Sequence, residues 1–265
     1  DTPSADILAL QQRYIDAYAE GLPSLRYGPG DSESSRGIAA NLAVRAFQFS
    51  PLTGTQQPWH ERIQEEGIST ARSRRGEAVH LGPIQQVRQL VMELRDACAI
   101  ALQAFVGMRI SEVCGLQAYP LNPDTGLPAC VEIQLSRSGL YDVFYIKGLV
   151  YKLTPSYKEA KWVAGLRPHG TDYLPPPVRA VVTLERLFKP WRDMAGKSDL
   201  IVSMKNNCGL PKCAGSIGQV NAEKLGIGYR DWMRKYVALP KEVKDWHLTS
   251  HQWRKSFVLY TIRTD

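Results

Sequence analysis

A chain of 265 residues can bury a full core as one large domain or two smaller ones. Its 44% hydrophobic and 22% charged residues exclude wholesale disorder, and no run approaches the roughly 20 consecutive apolar residues of a membrane helix. Thirty-three Lys and Arg against 26 Asp and Glu give a net charge of +7, which favours an anionic partner, nucleic acid before a membrane surface.

From the N-terminus, residues 5–20 read as a helix with Ile7, Leu10, Tyr14, Ala17 and Tyr18 on one side. Asp1-Thr2-Pro3-Ser4 carries neither an initiating Met nor a signal pattern, so the chain is expected to be part of a longer protein. Residues 21–37, rich in Gly, Pro and Ser, predict a loop. A helix over 38–49 and a short one over 59–67 follow, and residues 67–82, with the basic knot Arg72-Ser73-Arg74-Arg75, read as a linker. The strongest helical signal comes next. Ile84, Val87, Leu90, Val91, Leu94, Cys98, Ala101, Leu102 and Phe105 recur every three or four residues until Gly107, a natural terminator. A new helix then carries Ile110, Val113 and Leu116.

Strand signals come after it. Val131, Ile133 and Leu135 alternate with Glu132 and Gln134, residues 141–153 are rich in Val, Phe, Tyr and Ile, and Trp162-Val163 continues beyond a turn-prone Thr154-Pro155-Ser156. Helical patterns return over 178–188, 217–225 and 230–237. The expected fold class is therefore mainly α with a small three-stranded antiparallel sheet (α+β), without internal repeats. Residues 1–75 form a helical N-terminal segment and 83–265 a second domain. Five cysteines, odd in number and scattered, complete no zinc set, and Cys98 and Cys114 fit as small core residues in a reducing, cytoplasmic setting.

Two segments carry chemistry. Gly107-Met108-Arg109-Ile110-Ser111-Glu112 puts an arginine in the opening turn of a helix, against the macrodipole. The plainer explanation is an Arg109–Glu112 pair one turn apart, or solvent exposure. In Thr249-Ser250-His251-Gln252-Trp253-Arg254-Lys255-Ser256-Phe257, Thr249 and Gln252 have the form of a capping box. His251 and Arg254 then fall on neighbouring positions near a helix start, where backbone N–H groups already favour an anion. Trp253, Phe257 and Val258 would form the buried stripe behind them. Two exposed polar residues are the bland alternative. Between the segments, Lys147, Lys152, Lys158 and Lys161 lie on one hairpin; Lys152, where the long strand enters the turn, is the first choice for a functional lysine and Lys158 the second. Around the last segment, positions 230–263 hold eight Lys and Arg against three Asp and Glu.

Taken in order, helix–Gly-x-Arg-x-Ser-Glu–helix, a sheet with a hairpin lysine, further helices and His-x-x-Arg, the chain resembles the catalytic domain of the tyrosine recombinases, the phage-integrase family, over residues 83–265. That resemblance implies cofactor- and metal-independent breakage and rejoining of double-stranded DNA through a 3′-phosphotyrosyl intermediate, by a homo-oligomer assembled on DNA. Arg109 and Arg254 would hold the non-bridging phosphate oxygens, and Lys152 would protonate the departing 5′ oxygen. His251 would assist proton transfer, and Glu112 would buttress the arginine. In the family, a further His or Trp and then the tyrosine nucleophile follow the His-x-x-Arg. Tyr260, the sole tyrosine after Arg254, lies in the same expected helix and reads as a packing residue. This chain alone is therefore expected not to cleave DNA, and residues 1–75 to be either a remnant of a DNA-gripping domain or an elaboration of the catalytic one. The alternatives are a non-catalytic DNA-binding protein on the same fold, or an unrelated basic helical scaffold.

Overall fold

The computed structural model describes residues 2–22, 33–61, 63, 67–72, 78–150, 158–205, 209–238, 240, 242 and 249–264. Two compact units emerge, Asp1–Leu94 with Asn206–Leu210 and Arg95–Lys205 with Pro211–Asp265, so that the division falls inside one long helix. The described residues form seven α-helices, a three-stranded antiparallel sheet and two short strand pairs.

In the first unit, α1 (Thr2–Glu20) packs on α2 (Glu33–Arg45). Ile7, Leu10 and Tyr14 from α1 and Ala40 and Val44 from α2 are buried, as helical spacing requires. The second helix starts at Glu33 and ends at Arg45, earlier at both ends than the sequence suggests. Gly37 lies within it, although an interior glycine costs a helix about 1 kcal/mol. Burial of Ala39, Ala40 and Val44 outweighs that cost, and Ser35 Oγ, bonded to the backbone of Leu22 (2.9 and 3.2 Å), holds the first turn. Asp6 anchors the loop that follows. Its carboxylate accepts from Ser50 N and Ser50 Oγ (2.8 Å each) and from Trp59 Nε1, and the Trp59 ring packs with Phe49 and His60.

Two expectations fail here. Trp59, His60 and Glu61 are not helical, and the rings of Trp59 and His60 serve that aromatic cluster instead. The stretch read as a linker holds paired strands, β1 (Gly67–Arg72) and β2 (Ala78–Leu81), with Gly67 opposite Leu81 and Ile68 opposite His80. Strands of six and four residues offer too few alternations to stand out from a basic, Gly-containing background.

Helix α3 (Pro83–Val106) buries Val87, Leu90, Val91, Cys98 and Leu102, whereas Phe105, placed in the stripe by its spacing, is exposed. A five-residue helix, α4 (Ile110–Cys114), precedes the sheet of β3 (Val131–Leu135), β4 (Tyr141–Val150) and β5 (Lys158–Pro168), ordered β3-β4-β5. Ile133 faces Phe144 and Val131 faces Ile146, and one sheet face, with Phe144, Ile146 and Ala164, is buried. A bulge beside Phe144 places Gly165 (φ +136°) where the Pro175 ring would collide with any Cβ.

Pro175 then opens α5 (Pro176–Ala195), closed by Gly196 in the left-handed conformation. The helix expected over 217–225 is instead β7 (Ile217–Gln219), paired with β6 (Val202–Met204), and α6 (Ala222–Tyr236) begins after it with Asn221 as N-cap. Ile217 belongs to a three-residue strand, and the helical pattern starts at Ala222. The described chain ends with α7 (Ser250–Thr264).

Candidate anion-binding site

Gly107 ends α3. Its N–H reaches Gln103 O (3.1 Å), and its φ of +73° is a left-handed value that glycine adopts at little cost. Gln103, itself buried, donates from Nε2 to Met108 O (3.0 Å), and the fully buried Met108 side chain fastens the turn to the core. Arg109 follows as the N-cap of α4, one position before the opening turn, with extended backbone angles.

Glu112 organises that N-cap. One carboxylate oxygen accepts the Arg109 backbone N–H and the other accepts Arg109 Nη1, both at 2.6 Å. A guanidinium has no acceptor, so only this half of a capping box forms; the Glu112 N–H turns to Arg109 O at 3.0 Å. With its side chain 2% exposed, Glu112 is a buried charge matched by one cation, whereas the Arg109 side chain keeps 32% of its surface in solvent. The pair foreseen as the plainer explanation is thus present. It also leaves Arg109 aimed and partly accessible, since one nitrogen is bound and a guanidinium offers five N–H donors.

Packing fixes α4 on two sides. Ile110 Cδ1 lies 3.8 Å from where a Cβ on Gly226 of α6 would sit, and Leu116 Cδ2 lies 3.3 Å from the same point on Gly148 of β4. Beneath them, α6 closes on α3 through Gly228. A Cβ there would fall 2.6 Å from the Asp96 carboxyl carbon, so only glycine admits the buried Asp96, which pairs with Arg95 (2.6 Å). Burial first, and the Asp96 charge second, push the Tyr229 hydroxyl well above its ordinary pKa. Sequence reasoning passed over Arg95 and Asp96, yet two charges inside an apolar helical repeat were the available signal.

Helix α7 brings the second segment to the first. Phe257 lies on the bare Cα of Gly107: a Cβ there would be 2.5 Å from Phe257 Cδ1 and 2.8 Å from Cε1. Arg254 stands one turn before Phe257 on α7, and Arg109 two residues after Gly107. Arg254 is half-buried, and its Nη1 is buried without a hydrogen-bond partner, as is Nε1 of Trp253. No carboxylate bridges Arg254 and Arg109 among the described residues. His251 is exposed in the first turn of α7, where Thr249 N donates to Gln252 Oε1 (2.6 Å), one half of the expected capping box. The stripe expected behind the motif is only partly formed, because Trp253 and Phe257 are half-buried and Val258 is 43% exposed.

No family model matches this chain, and comparison with curated proteins gives no significant match.

Of the hairpin lysines, Lys152 lies outside the described residues, as do residues 151–157 around it. Lys158 is exposed at the start of β5. Lys147 and Lys161, opposite each other in register, both engage Glu132, at 3.4 and 2.7 Å. Hydrogen bonds from Lys161 first and Gln134 second hold the Glu132 carboxyl below the usual range. The side chain of Tyr260 also falls outside the described residues.

Cys98, Cys114 and Cys130 are buried and unpaired; desolvation pushes their thiols up to about 12, 11 and 12, so they act as core residues rather than nucleophiles. Among the described residues no group of three or more His, Cys, Asp or Glu could hold a metal ion, and no helix is long and apolar enough to cross a membrane.

Proposed function

We propose that this chain is the phosphate-binding part of a site-specific DNA strand transferase of the tyrosine-recombinase type, in which Arg109 and Arg254 grip one backbone phosphate of a duplex. The observation that carries this reading is the seat of Phe257 on Gly107, which ties together two arginine-bearing segments about 145 residues apart. Two further features support it. Arg254 Nη1 lacks a partner, and a buried donor in that state costs about 1–3 kcal/mol unless an acceptor such as a phosphate oxygen meets it. Glu112 meanwhile holds Arg109 in one orientation before any substrate arrives, so little ordering cost remains at the reaction.

In the reaction, a tyrosine hydroxyl attacks the phosphorus. The bond to the 5′ oxygen breaks, that oxygen takes a proton from Lys152, and the 3′ phosphate stays on the tyrosine. Arg109 and Arg254 offset the extra negative charge on the non-bridging oxygens, and His251 assists the proton leaving the nucleophile. Homo-oligomerisation on DNA belongs to the same reading.

The test is a nicked suicide duplex offered to the intact protein, with a covalent protein–DNA adduct as the readout. Arg109→Ala and Arg254→Ala should each lower adduct formation by about 100-fold or more. Duplex affinity should change by less than about tenfold, because many phosphate contacts share it. Duplex binding without any adduct would identify a DNA-binding protein that lacks the chemistry, and absence of both would end the proposal.

A further inference from the structure

The contact between α7 and the Gly107 turn is built from an unusual pair, a ring lying where a side chain would otherwise be. Gly107 is buried and left-handed, and every ordinary residue would bring its Cβ into Phe257. Phe257 in turn lies three residues after Arg254, on neighbouring positions of the helix surface. Elsewhere on α7, Trp253 and Arg254 are half-buried, whereas Val258 and Leu259 are 43% and 55% exposed and Lys255 and Ser256 are exposed. A helix with no fully buried residue among those described depends on the contacts its half-buried side chains make for its placement.

We infer that Phe257, seated on Gly107, is the positioning residue that makes Arg109 and Arg254 serve a single anion rather than two independent ones. The inference rests on the phosphate-gripping reading above and adds to it the residue that couples the two arginines. Arg109 is set by Glu112 and by the fastening of its own turn, so its aim does not depend on α7. Arg254 has no such local tether: its Nη1 has no protein acceptor. Its position relative to Arg109 therefore passes through the Phe257 ring. Removing the ring should leave Arg109 where it is and release Arg254.

Side-chain Nε–Hε NMR signals of the two arginines, followed as inorganic phosphate is titrated into the protein, test this directly. In the wild type both signals should move with one shared apparent Kd. In Phe257→Ala they should separate, Arg254 weakening by about tenfold or more while Arg109 changes less. Phe257→Leu, which keeps an apolar contact, should remain close to the wild type, and its backbone amide spectrum, like that of the alanine variant, reports whether the fold is retained. If Phe257→Ala does not fold, Phe257→Val, whose side chain is too short to reach the Gly107 turn, decides: a separation of the two signals supports the inference, and a retained shared Kd overturns it. A shared Kd in the wild type that survives loss of the ring also overturns the positioning role and leaves the phosphate reading standing. Two different Kd values in the wild type, or no movement at all, would overturn both.

Discussion

Asp142 illustrates what one carboxylate does for the sheet. From β4 it accepts His169 Nδ1 at 2.7 Å and Arg167 Nε at 2.9 Å, both from the β5 side of the hairpin. The hydrogen bond from His169 first, and that from Arg167 second, hold its carboxyl below the usual aspartate range. Because the folded-state pKa is lowered, the resulting stability is present above the unfolded-state value of about 3.9 and disappears as pH falls through the folded one. Thermal unfolding of the wild type and Asp142→Asn should differ by a constant amount at neutral pH, and the two curves should converge in the acid range. A gap that persists at the lowest pH would mean that asparagine acts through something other than lost charge. Glu112 differs in kind: its carboxylate orients an arginine that points toward solvent, so it links a local hydrogen-bond pattern to a site.

Elements here are joined by buried polar side chains as much as by apolar ones. Arg192, fully buried near the end of α5, donates through Nη2 to the Glu185 side chain (2.9 Å) and backbone, and through Nη1 to Leu200 O (3.0 Å). Its guanidinium also lies over the Tyr119 ring, 5.0 Å from the centroid. The helix is thereby stitched to the strand region that follows it. Removing one member of such a pair strands the other charge, so Arg192→Ala should cost about 3–5 kcal/mol in denaturant unfolding. The double variant Arg192→Met with Glu185→Gln should lose less than Arg192→Ala, since neither charge is left buried. A larger loss in the double variant would show that the stranded Glu185 carboxylate is not what makes Arg192→Ala costly.

For the molecule as a whole, much of the net charge of +7 comes from the segment of sequence that carries Arg254, with eight Lys and Arg against three Asp and Glu over positions 230–263. Each phosphate neutralised by a Lys or Arg releases counterions, so log affinity for duplex DNA should fall linearly with log salt. Arg109→Ala, by deleting one phosphate contact, should flatten that slope by about one, measured by fluorescence anisotropy over a salt series. An affinity that ignores salt would rule out the phosphate backbone as the principal contact.

Sequence alone determined what depends on near neighbours. The repeat from Val87 to Leu102 announced α3, the alternation Val131–Ile133–Leu135 announced β3, Gly107 announced the end of a helix, and the Arg109–Glu112 spacing allowed the pair that forms. These are consequences of backbone periods of 3.6 and 2 and of side chains within one turn, which a few residues suffice to express. Tertiary structure decided the rest. Strands as short as β2 and β7 take their identity from the partner strand and hardly from their own residues. Gly37 is helical because α2 buries its neighbours, and Gly228 is required because Asp96 occupies its Cβ position. The meeting of Phe257 with Gly107 spans about 150 residues, and no local pattern encodes which distant ring will fill the space that a missing side chain leaves.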